Sequence, residues 1–443
     1  MRMPRAAVAL VSFVALARGD VDADAALCRA YVAANANATR RAPSGALRFP
    51  YLVPAGPYEQ EWDWDAVFLG VATARCCGGA AYLAGSMKNF FAATNASTGE
   101  VPGCLAPTLP AVCSSDANAT AGASLAHAKP VLIQGAWLSV DGAAVTAREF
   151  RPFRAAMEAL LSYWARPPRR DARTGLRVWH DQLESGADDL VLSRCPSARS
   201  PECWSDAQAF TLASVDATTL LLREHIAFAR FVRAWGGPDA ERDAAAHDAR
   251  AAALARALDE SLWDDARGHH VARNVSAAAA AARARVIGAK TYQIAMPLWA
   301  RAVRNASRAA AIVAALARPE LLSPWGLRST SSDDARYSNA ETLVPYSNWR
   351  GPVWVVANAM AAYGLAAHGA RDAALDLAAR VVGVLADDLR SSGAWHEAYS
   401  AETGAALAAP GFLSWNTLAA DLIPNLRAGI DPFELRPPPA DVP

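Results

Sequence analysis

The sequence predicts an all-α fold, an α/α toroid in which an inner ring of helices is wrapped by an outer ring. Two observations predict it. Apolar residues recur at helical spacing along most of the 443-residue chain, and neither a linker nor a fixed-period repeat divides it. We expect about twelve helices, with strand signals confined to short β-hairpin insertions. Residues 20–443 are therefore predicted to form one domain that ends in a Pro-rich tail.

The helical periodicity is clear in several segments. Phe150, Phe153, Met157, Leu160 and Trp164 form one amphipathic stripe. Residues 353–367 are apolar on most faces, which is typical of a buried inner helix. Short extended segments are expected at 176–179 and 395–399. Further helices are predicted near 22–34, 63–76, 80–94, 129–143, 212–235, 241–263, 289–303, 305–317, 375–385 and 411–423.

Composition narrows the class of function. The chain is 53% apolar and 19% charged, as in ordinary globular proteins. It has 43 basic and 43 acidic residues, so it lacks the excess positive charge that nucleic-acid binding requires. Its 14 Trp residues are unusually many, and sugar-binding clefts use indole faces as platforms. A carbohydrate is the expected partner, and no oligomeric state is predicted.

The N-terminus has the pattern of a secretory signal peptide, assigned here to residues 1–19. Arg2 and Arg5 precede an apolar run over 6–17, which ends in an A-x-A-like site and is too short to span a bilayer comfortably. No other segment is long and apolar enough to do so. Five N-glycosylation sequons also favour the secretory pathway (secretion, or the ER or vacuolar lumen): Asn37, Asn95, Asn118, Asn274 and Asn305. The alternative is the Ala-rich first helix of a cytosolic protein.

The chain has seven cysteines. In an oxidising compartment, two pairs that flank Pro-containing loops are expected to form disulfides: Cys104 with Cys113, and Cys195 with Cys203. One thiol is expected to be free among the three that remain: Cys28, Cys76 and Cys77. No Cys/His spacing resembles a zinc site, so neither a metal nor a cofactor is predicted.

Four polar and aromatic clusters lie between predicted helices, at 58–65, 184–189, 348–354 and 395–404. Structural alternatives exist: Asp63 or Asp65 could cap a helix, 184–189 could be an acidic turn, and 348–354 could simply start a helix. Burial of Glu397 among aromatic residues would disfavour its charged form. Glycoside hydrolysis requires two carboxyls, one to protonate the leaving oxygen and one to activate water or attack the sugar. The chemistry alone leaves open which acids form the pair.

In this order, the clusters resemble those of glycoside hydrolase family 63, chiefly its mannosylglycerate-hydrolase-like branch. Family 37 trehalases are more distant. Residues 62–68 (WDWDAVF) resemble the motif Q-W-x-W-D-S-x-F, and 184–188 (ESGAD) are similar to E-S-G-x-D. Residues 348–354 (NWRGPVW) resemble Y-W-R-G-P-x-W, and 397–404 resemble E-x-Y-x-P-x-T-G.

This resemblance implies an (α/α)6 barrel and hydrolysis with inversion. It assigns Asp188 as general acid and Glu397 as general base. Residues 189–191, directly after the acid, depart from the family pattern, and the adjacent Asp189 is a second candidate for the acid. The implied substrate-binding residues are Trp62, Trp64, Asp65, Gln134, Trp349, Arg350, Trp354 and Trp395.

We therefore expect an inverting glycoside hydrolase for a small α-linked glycoside or short glycan, such as mannosylglycerate, glucosylglycerate or an α-glucoside. A trehalase-like hydrolase is one alternative. A catalytically inactive carbohydrate-binding protein on the same fold is another, and a helical scaffold is a third.

Overall fold

The structure is a computed structural model that describes residues 20–108, 127–141, 145–180, 182–192, 211–275, 286–340 and 347–437. The predicted signal peptide, Asn118 and most of the Pro-rich tail lie outside these residues. So do Cys113, Cys195 and Cys203, and the disulfides predicted for them stay predictions.

The helices agree with the sequence periodicity, with most ends within a few residues of prediction. The described residues include four 3-10 segments that adjoin or replace α-helical turns: Ala36–Thr39, Ala147–Phe153, Tyr292–Ala295 and Ser414–Ala420. The α-helices of the described residues are α1 (Val21–Asn35), α2 (Asp63–Cys77), α3 (Gly79–Ala92), α4 (Leu132–Asp141), α5 (Arg154–Ala165), α6 (Gln182–Ser185), α7 (Val215–Trp235), α8 (Ala240–Ser261), α9 (Met296–Trp299), α10 (Ala306–Leu316), α11 (Val355–Ala367), α12 (Arg371–Ser392) and α13 (Leu422–Ala428).

Six helical segments form a closed inner ring. In order they are α2, α4, α7, the 292–299 segment that ends in α9, α11 and the 414–420 segment, and each contacts the next. The last contacts α2 and closes the ring. An outer helix packs against the ring at each position: α1, α3, α5, α8, α10 and α12. This is the predicted (α/α)6 barrel.

The chain alternates strictly between the outer and the inner ring. Because each inner segment is followed by an outer helix that returns, the inner segments run in one direction and present their N-termini at one end. Clusters 58–65, 348–354 and 395–404 each precede an inner segment, and 184–189 lies between α5 and α7. The topology therefore gathers the four clusters at this end, where the partial positive charge of helix N-termini favours carboxylates.

The strands are short and pair within small antiparallel sheets. The predicted segments 176–179 and 395–399 are found as β5 and β13. The strands of the described residues are β1 (Arg40–Arg41), β2 (Tyr51–Leu52), β3 (Glu61–Trp62), β4 (Cys104–Leu105), β5 (Val178–Trp179), β6 (Leu212–Ala213), β7 (Trp263–Asp264), β8 (His269–His270), β9 (Ala272–Asn274), β10 (Val286–Ile287), β11 (Leu322–Ser323), β12 (Gly326–Leu327), β13 (His396–Tyr399) and β14 (Ala406–Pro410).

The hairpin of β13 and β14 contains a bulge at Glu397. His396 pairs with Pro410 and Ala398 with Leu407, so Ala408 and Ala409 together lie opposite Glu397. Ala408 has a φ of 66°, a left-handed conformation that residues with a Cβ seldom adopt. Bulges recur beside active sites because they redirect a side chain from its regular position in the strand.

The cysteines of the described residues are partly as predicted. Cys28 is buried and free, which agrees with one free thiol among the three remaining cysteines. Cys76 is bonded to Cys77, and Cys104 is also disulfide-bonded. None of the helices that the structure describes is long and apolar enough to cross a membrane.

Candidate active site

The loop that carries Asp188 is held against Lys129 and Trp64. Gly186 has a φ of +78°, and a Cβ there would lie 2.5 Å from Cε of Lys129 and 2.7 Å from a ring carbon of Trp64. Only glycine combines this backbone conformation with this close approach. One oxygen of Asp188, Oδ2, then accepts hydrogen bonds from the backbone N–H of Ser347 at 3.0 Å and from its hydroxyl at 2.8 Å.

Glu184, the first acid of this loop, has a structural role in the geometry. Its buried carboxylate forms a two-armed ion pair with the Arg169 guanidinium, and one arm measures 2.6 Å. It also accepts a hydrogen bond from the backbone N–H of His180 at 2.7 Å. The ion pair ties the start of the Asp188 loop to the segment that follows α5.

Asp189 has different partners from Asp188 and holds the third cluster. Its Oδ1 accepts a hydrogen bond from the backbone N–H of Trp349 at 2.6 Å, and its Oδ2 lies 3.3 Å from Nε of Arg350. The carboxyl is 4% exposed. Asp189 thus joins the second cluster to the third, and Arg350 is its ion-pair partner.

Glu397 and Asp188, from different parts of the chain, both act on the Tyr58 phenol. The Tyr58 hydroxyl donates to the Glu397 carboxylate, with its oxygen 3.1 and 3.0 Å from the two carboxylate oxygens. Burial raises the pKa of Tyr58, and the charges of Glu397, Asp65 and Asp188 raise it further. Of these three carboxyls, Glu397 forms the hydrogen bond, and Asp65 and Asp188 act on the phenol through their charge.

Two of these carboxyls, Asp65 and Asp188, have a pKa raised toward neutral pH. Burial raises the pKa of Asp65 to about 7, although the Ser414 hydroxyl donates to it at 2.5 Å. Burial also raises the pKa of Asp188 to about 6, against the opposing effect of the two Ser347 donors. The Lys129 ammonium lowers the pKa of both carboxyls.

Lys129 is held in place by a buried ion pair. Its ammonium lies 3.1 Å from Oδ1 of Asp63, and both side chains are at most 5% exposed. The same ammonium lies 4.9 Å from the centre of the Trp64 ring, a cation–π contact. The Asp63 carboxylate also accepts the backbone N–H of Lys129 at 2.6 Å and of Trp64 at 2.7 Å. Asp63 therefore organises both residues.

The predicted tryptophans occupy different depths. Trp62 is partly exposed and meets the Tyr58 ring edge-on. Trp64 is 8% exposed, and its ring centre lies 5.9 Å from that of Trp349. Trp349 and Trp354 are buried and stacked on each other at 4.2 Å. The stacked pair packs against Trp64 through Trp349, and its contact with a sugar stays a prediction.

Gln134 and Trp395 do not join this group. The Gln134 side chain is 2% exposed, donates to the carbonyl of Pro130 and accepts from Arg223 at 2.7 Å. The Trp395 indole is fully buried, where its N–H donates to the carbonyl of Leu385. Both side chains are saturated with protein contacts, so their placement gives no support to the predicted contact with a sugar.

Four residues of the site were not predicted from the sequence: Tyr58, Ser347, Ser414 and Lys129. Tyr58 and Ser414 lie inside quoted motifs and could have been proposed from them. Lys129 is one of only three lysines in the chain, a weak signal at best. Nothing in the sequence marks Ser347, because its contact with Asp188 joins positions 159 residues apart.

Comparison with known proteins shows the family. Residues 58–415 match the profile of the mannosylglycerate hydrolase MGH1-like glycoside hydrolase domain. The chain belongs to this family. It is accordingly a glycoside hydrolase, and the matched range begins at the tyrosine that binds Glu397 and ends one residue after the serine that binds Asp65.

Solved structures of this family and of trehalases share the fold. The mannosylglycerate hydrolase of Thermus thermophilus in complex with glucose is 21% identical, with a TM-score of 0.61 over 89% of this chain and 99% of that one. Neutral trehalase Nth1 of Saccharomyces cerevisiae is 16% identical, with a TM-score of 0.61 over 87% of this chain and 76% of that one. No curated protein sequence matches the chain.

Proposed function

We propose that this protein is an inverting glycosidase in which Asp188 is the general acid and Glu397 the general base. The observation that carries the proposal is the hydrogen bond of Tyr58 to Glu397, together with the charge of Asp188, which also raises the pKa of the same phenol. Inverting hydrolysis needs one carboxyl on each side of the scissile bond, with room for a water.

Asp188 suits the acid because its environment favours the protonated form. A general acid must hold its proton until the leaving oxygen takes it, and a raised pKa near the working pH serves this purpose. Burial raises the pKa of Asp188 to about 6. Asp189 is already committed to Trp349 and Arg350, so it does not compete for the role.

Glu397 suits the base because its carboxylate has a fixed donor. The Tyr58 hydroxyl stabilises the ionised form and orients it. The bulge opposite Glu397 sets the direction of the side chain. A carboxylate oriented in this way can take a proton from a water as that water attacks the anomeric carbon.

The proposed substrate is a small α-linked glycoside of the mannosylglycerate or glucosylglycerate type, or another α-glucoside. The family match supports this class. Asp65, with its neighbours Trp62 and Trp64, would bind the sugar hydroxyls and one ring face. The likeness to trehalase shows the fold alone, so trehalose belongs in the test panel without being preferred.

The test combines a substrate panel with two isosteric variants. Nitrophenyl α-glycosides, mannosylglycerate, glucosylglycerate and trehalose are incubated with the wild type, and NMR identifies the anomer released first. An inverted anomer is expected. Asp188→Asn and Glu397→Gln should each lower kcat by about 10²- to 10⁴-fold because an amide cannot exchange the proton.

The control is Asp239→Asn, a surface carboxyl paired with Arg242. It should retain wild-type turnover, and circular dichroism should show that all three variants are folded. Near-normal turnover of Asp188→Asn or Glu397→Gln would remove that residue from the proposed pair, and a retained anomer would exclude inversion.

A further inference from the structure

A cavity lies on the side wall of the barrel, and none of the residues that line it belongs to the four clusters. Its volume is about 840 Å³. It lies between the outer helices α5 and α8, with α7 beneath and the 170–177 turn at its rim. This volume is in the range of small-molecule sites in proteins.

The lining of this cavity is strongly basic. Four arginines line it: Arg170, Arg173, Arg177 and Arg250. The one acid in the lining, Glu158, is engaged by Arg154 at 2.8 Å. Nearby Asp243 and Asp248 likewise pair with arginines outside the lining, Arg154 and Arg233. None of the ion pairs among the described residues includes the four lining arginines.

Arg177 is the buried member of the set. It is 6% exposed, its Nε has no hydrogen-bond partner, and another nitrogen donates to the carbonyl of Gly175. Burial and the charge of Arg170 lower the pKa of Arg177 to about 10. A buried charge without a counter-ion is costly for the protein, and a bound anion would offset this cost.

Two histidines extend the polar lining. Nδ1 of His225 lies 3.0 Å from Nδ1 of His247, and Arg250 donates to Nε2 of His247 at 2.9 Å. Burial lowers the pKa of both rings, and the charges of Arg177 and Arg250 contribute to the shift at His225. Both rings are therefore neutral at pH 7, and the positive potential of the cavity comes from its arginines.

We infer that this cavity binds a phosphate or sulfate group, either as the free anion or as an ester on a small sugar. The planar guanidinium offers paired N–H donors that match the oxygens of such groups. Three exposed arginines at the rim and the buried Arg177 can surround one dianion. The site stands apart from the carboxyl pair and does not depend on the roles proposed for Asp188 and Glu397.

The experiment measures thermal stabilisation by inorganic phosphate and by glucose 6-phosphate, with glucose and sodium chloride at matched ionic strength as comparators. We expect a saturable rise in Tm with both phosphates. The double variant Arg173→Gln/Arg250→Gln, at exposed positions, should weaken binding by about tenfold or more because it removes two charged hydrogen-bond donors from the lining. Arg256→Gln, an exposed arginine of α8 outside the lining, should bind as the wild type does.

The arms of the experiment also distinguish the source of the anion. Equal affinity for the two phosphates indicates a site for the free anion, whereas tighter binding of glucose 6-phosphate indicates a phosphorylated sugar. The inference is overturned if neither phosphate raises Tm more than sodium chloride at the same ionic strength does. It is also overturned if the double variant binds phosphate as tightly as Arg256→Gln does.

Discussion

The end of the ring and the cavity on its side wall both gather like charges, but they differ in how these charges are compensated. At the ring end, each described carboxyl has a donor: Tyr58 for Glu397, Ser347 for Asp188 and Ser414 for Asp65. The buried Lys129 adds a positive charge. On the side wall, Arg177 and its three neighbours have no carboxylate partner among the described residues.

The carboxyls at the ring end are thus preorganised by donors of the protein itself, whereas the arginines of the cavity have no carboxylate partner among the described residues. Donors that are already in place lower the cost of reorganisation during a reaction, as catalysis requires. Arginines that pair with no carboxylate instead keep N–H donors that a bound anion could accept. Four measurements test the comparison, beginning with the largest expected effect.

Lys129→Met should destabilise the protein most. The change leaves the Asp63 carboxylate buried without its ammonium partner, and breaking such a pair costs about 3–5 kcal/mol of unfolding free energy. Urea unfolding measures the loss. The matched control is Lys88→Met, whose ion pair with the half-exposed Glu149 contributes about 1 kcal/mol or less. Equal losses in the two variants would contradict the proposed compensation at the ring end.

Tyr58→Phe should lower kcat by about 10- to 100-fold, because a carboxylate loses a hydrogen bond of about 1.5–3 kcal/mol. The fold should be retained, since the ring contacts with Trp62 and Phe412 do not need the hydroxyl. Steady-state kinetics measures the effect, and Tyr82→Phe is the matched control. Wild-type turnover in Tyr58→Phe would show that the phenol does not orient the base.

The pH profile should show the acid directly. As the proposed general acid, Asp188 would have to be protonated, so kcat/KM should fall as pH rises through about 6, the raised pKa of this carboxyl. In Ser347→Ala the carboxylate loses one donor, which raises the pKa of Asp188 and moves the alkaline limb to higher pH. An unchanged limb in this variant, measured across the same buffers, would assign the titration to another group.

Arg177→Met should have the smallest effect on stability. Because Arg177 has no acidic partner among the described residues, its replacement removes a desolvated charge and breaks no ion pair. We expect the unfolding free energy in phosphate-free buffer to stay the same or to rise by about 1 kcal/mol. A loss as large as that in Lys129→Met would show that Arg177 is compensated within the protein.

The carboxyl pair shows how much of a candidate site short sequence motifs can predict. The resemblance in short motifs predicts Asp188 and Glu397, and in the structure Glu397 is hydrogen-bonded to Tyr58 while the charges of both carboxyls raise the pKa of this phenol. The adjacent Asp189 could not be separated from Asp188 by sequence, because two neighbouring aspartates have the same chemistry. Only the position of the Trp349 backbone and of Arg350 shows which carboxyl is occupied.

Gln134 and Trp395 show what motifs leave undetermined, namely the direction of a side chain. Trp395 begins the fourth cluster and Gln134 lies outside all four, and both side chains are buried among protein partners. A motif locates a segment of chain, but the direction of a side chain depends on its neighbours in space. Arg223, which binds Gln134, is 89 residues away in the sequence.

The helices, their alternation and the segments between them that carry chemistry all follow from the order of the amino acids, because periodicity and motifs are local properties of the chain. Folding in three dimensions was needed to set the direction of each carboxyl and indole, the compensation of Asp63 by Lys129 and the gathering of four arginines around one cavity. These depend on contacts between distant segments, and the electrostatic energy of a buried charge depends on its neighbours in space.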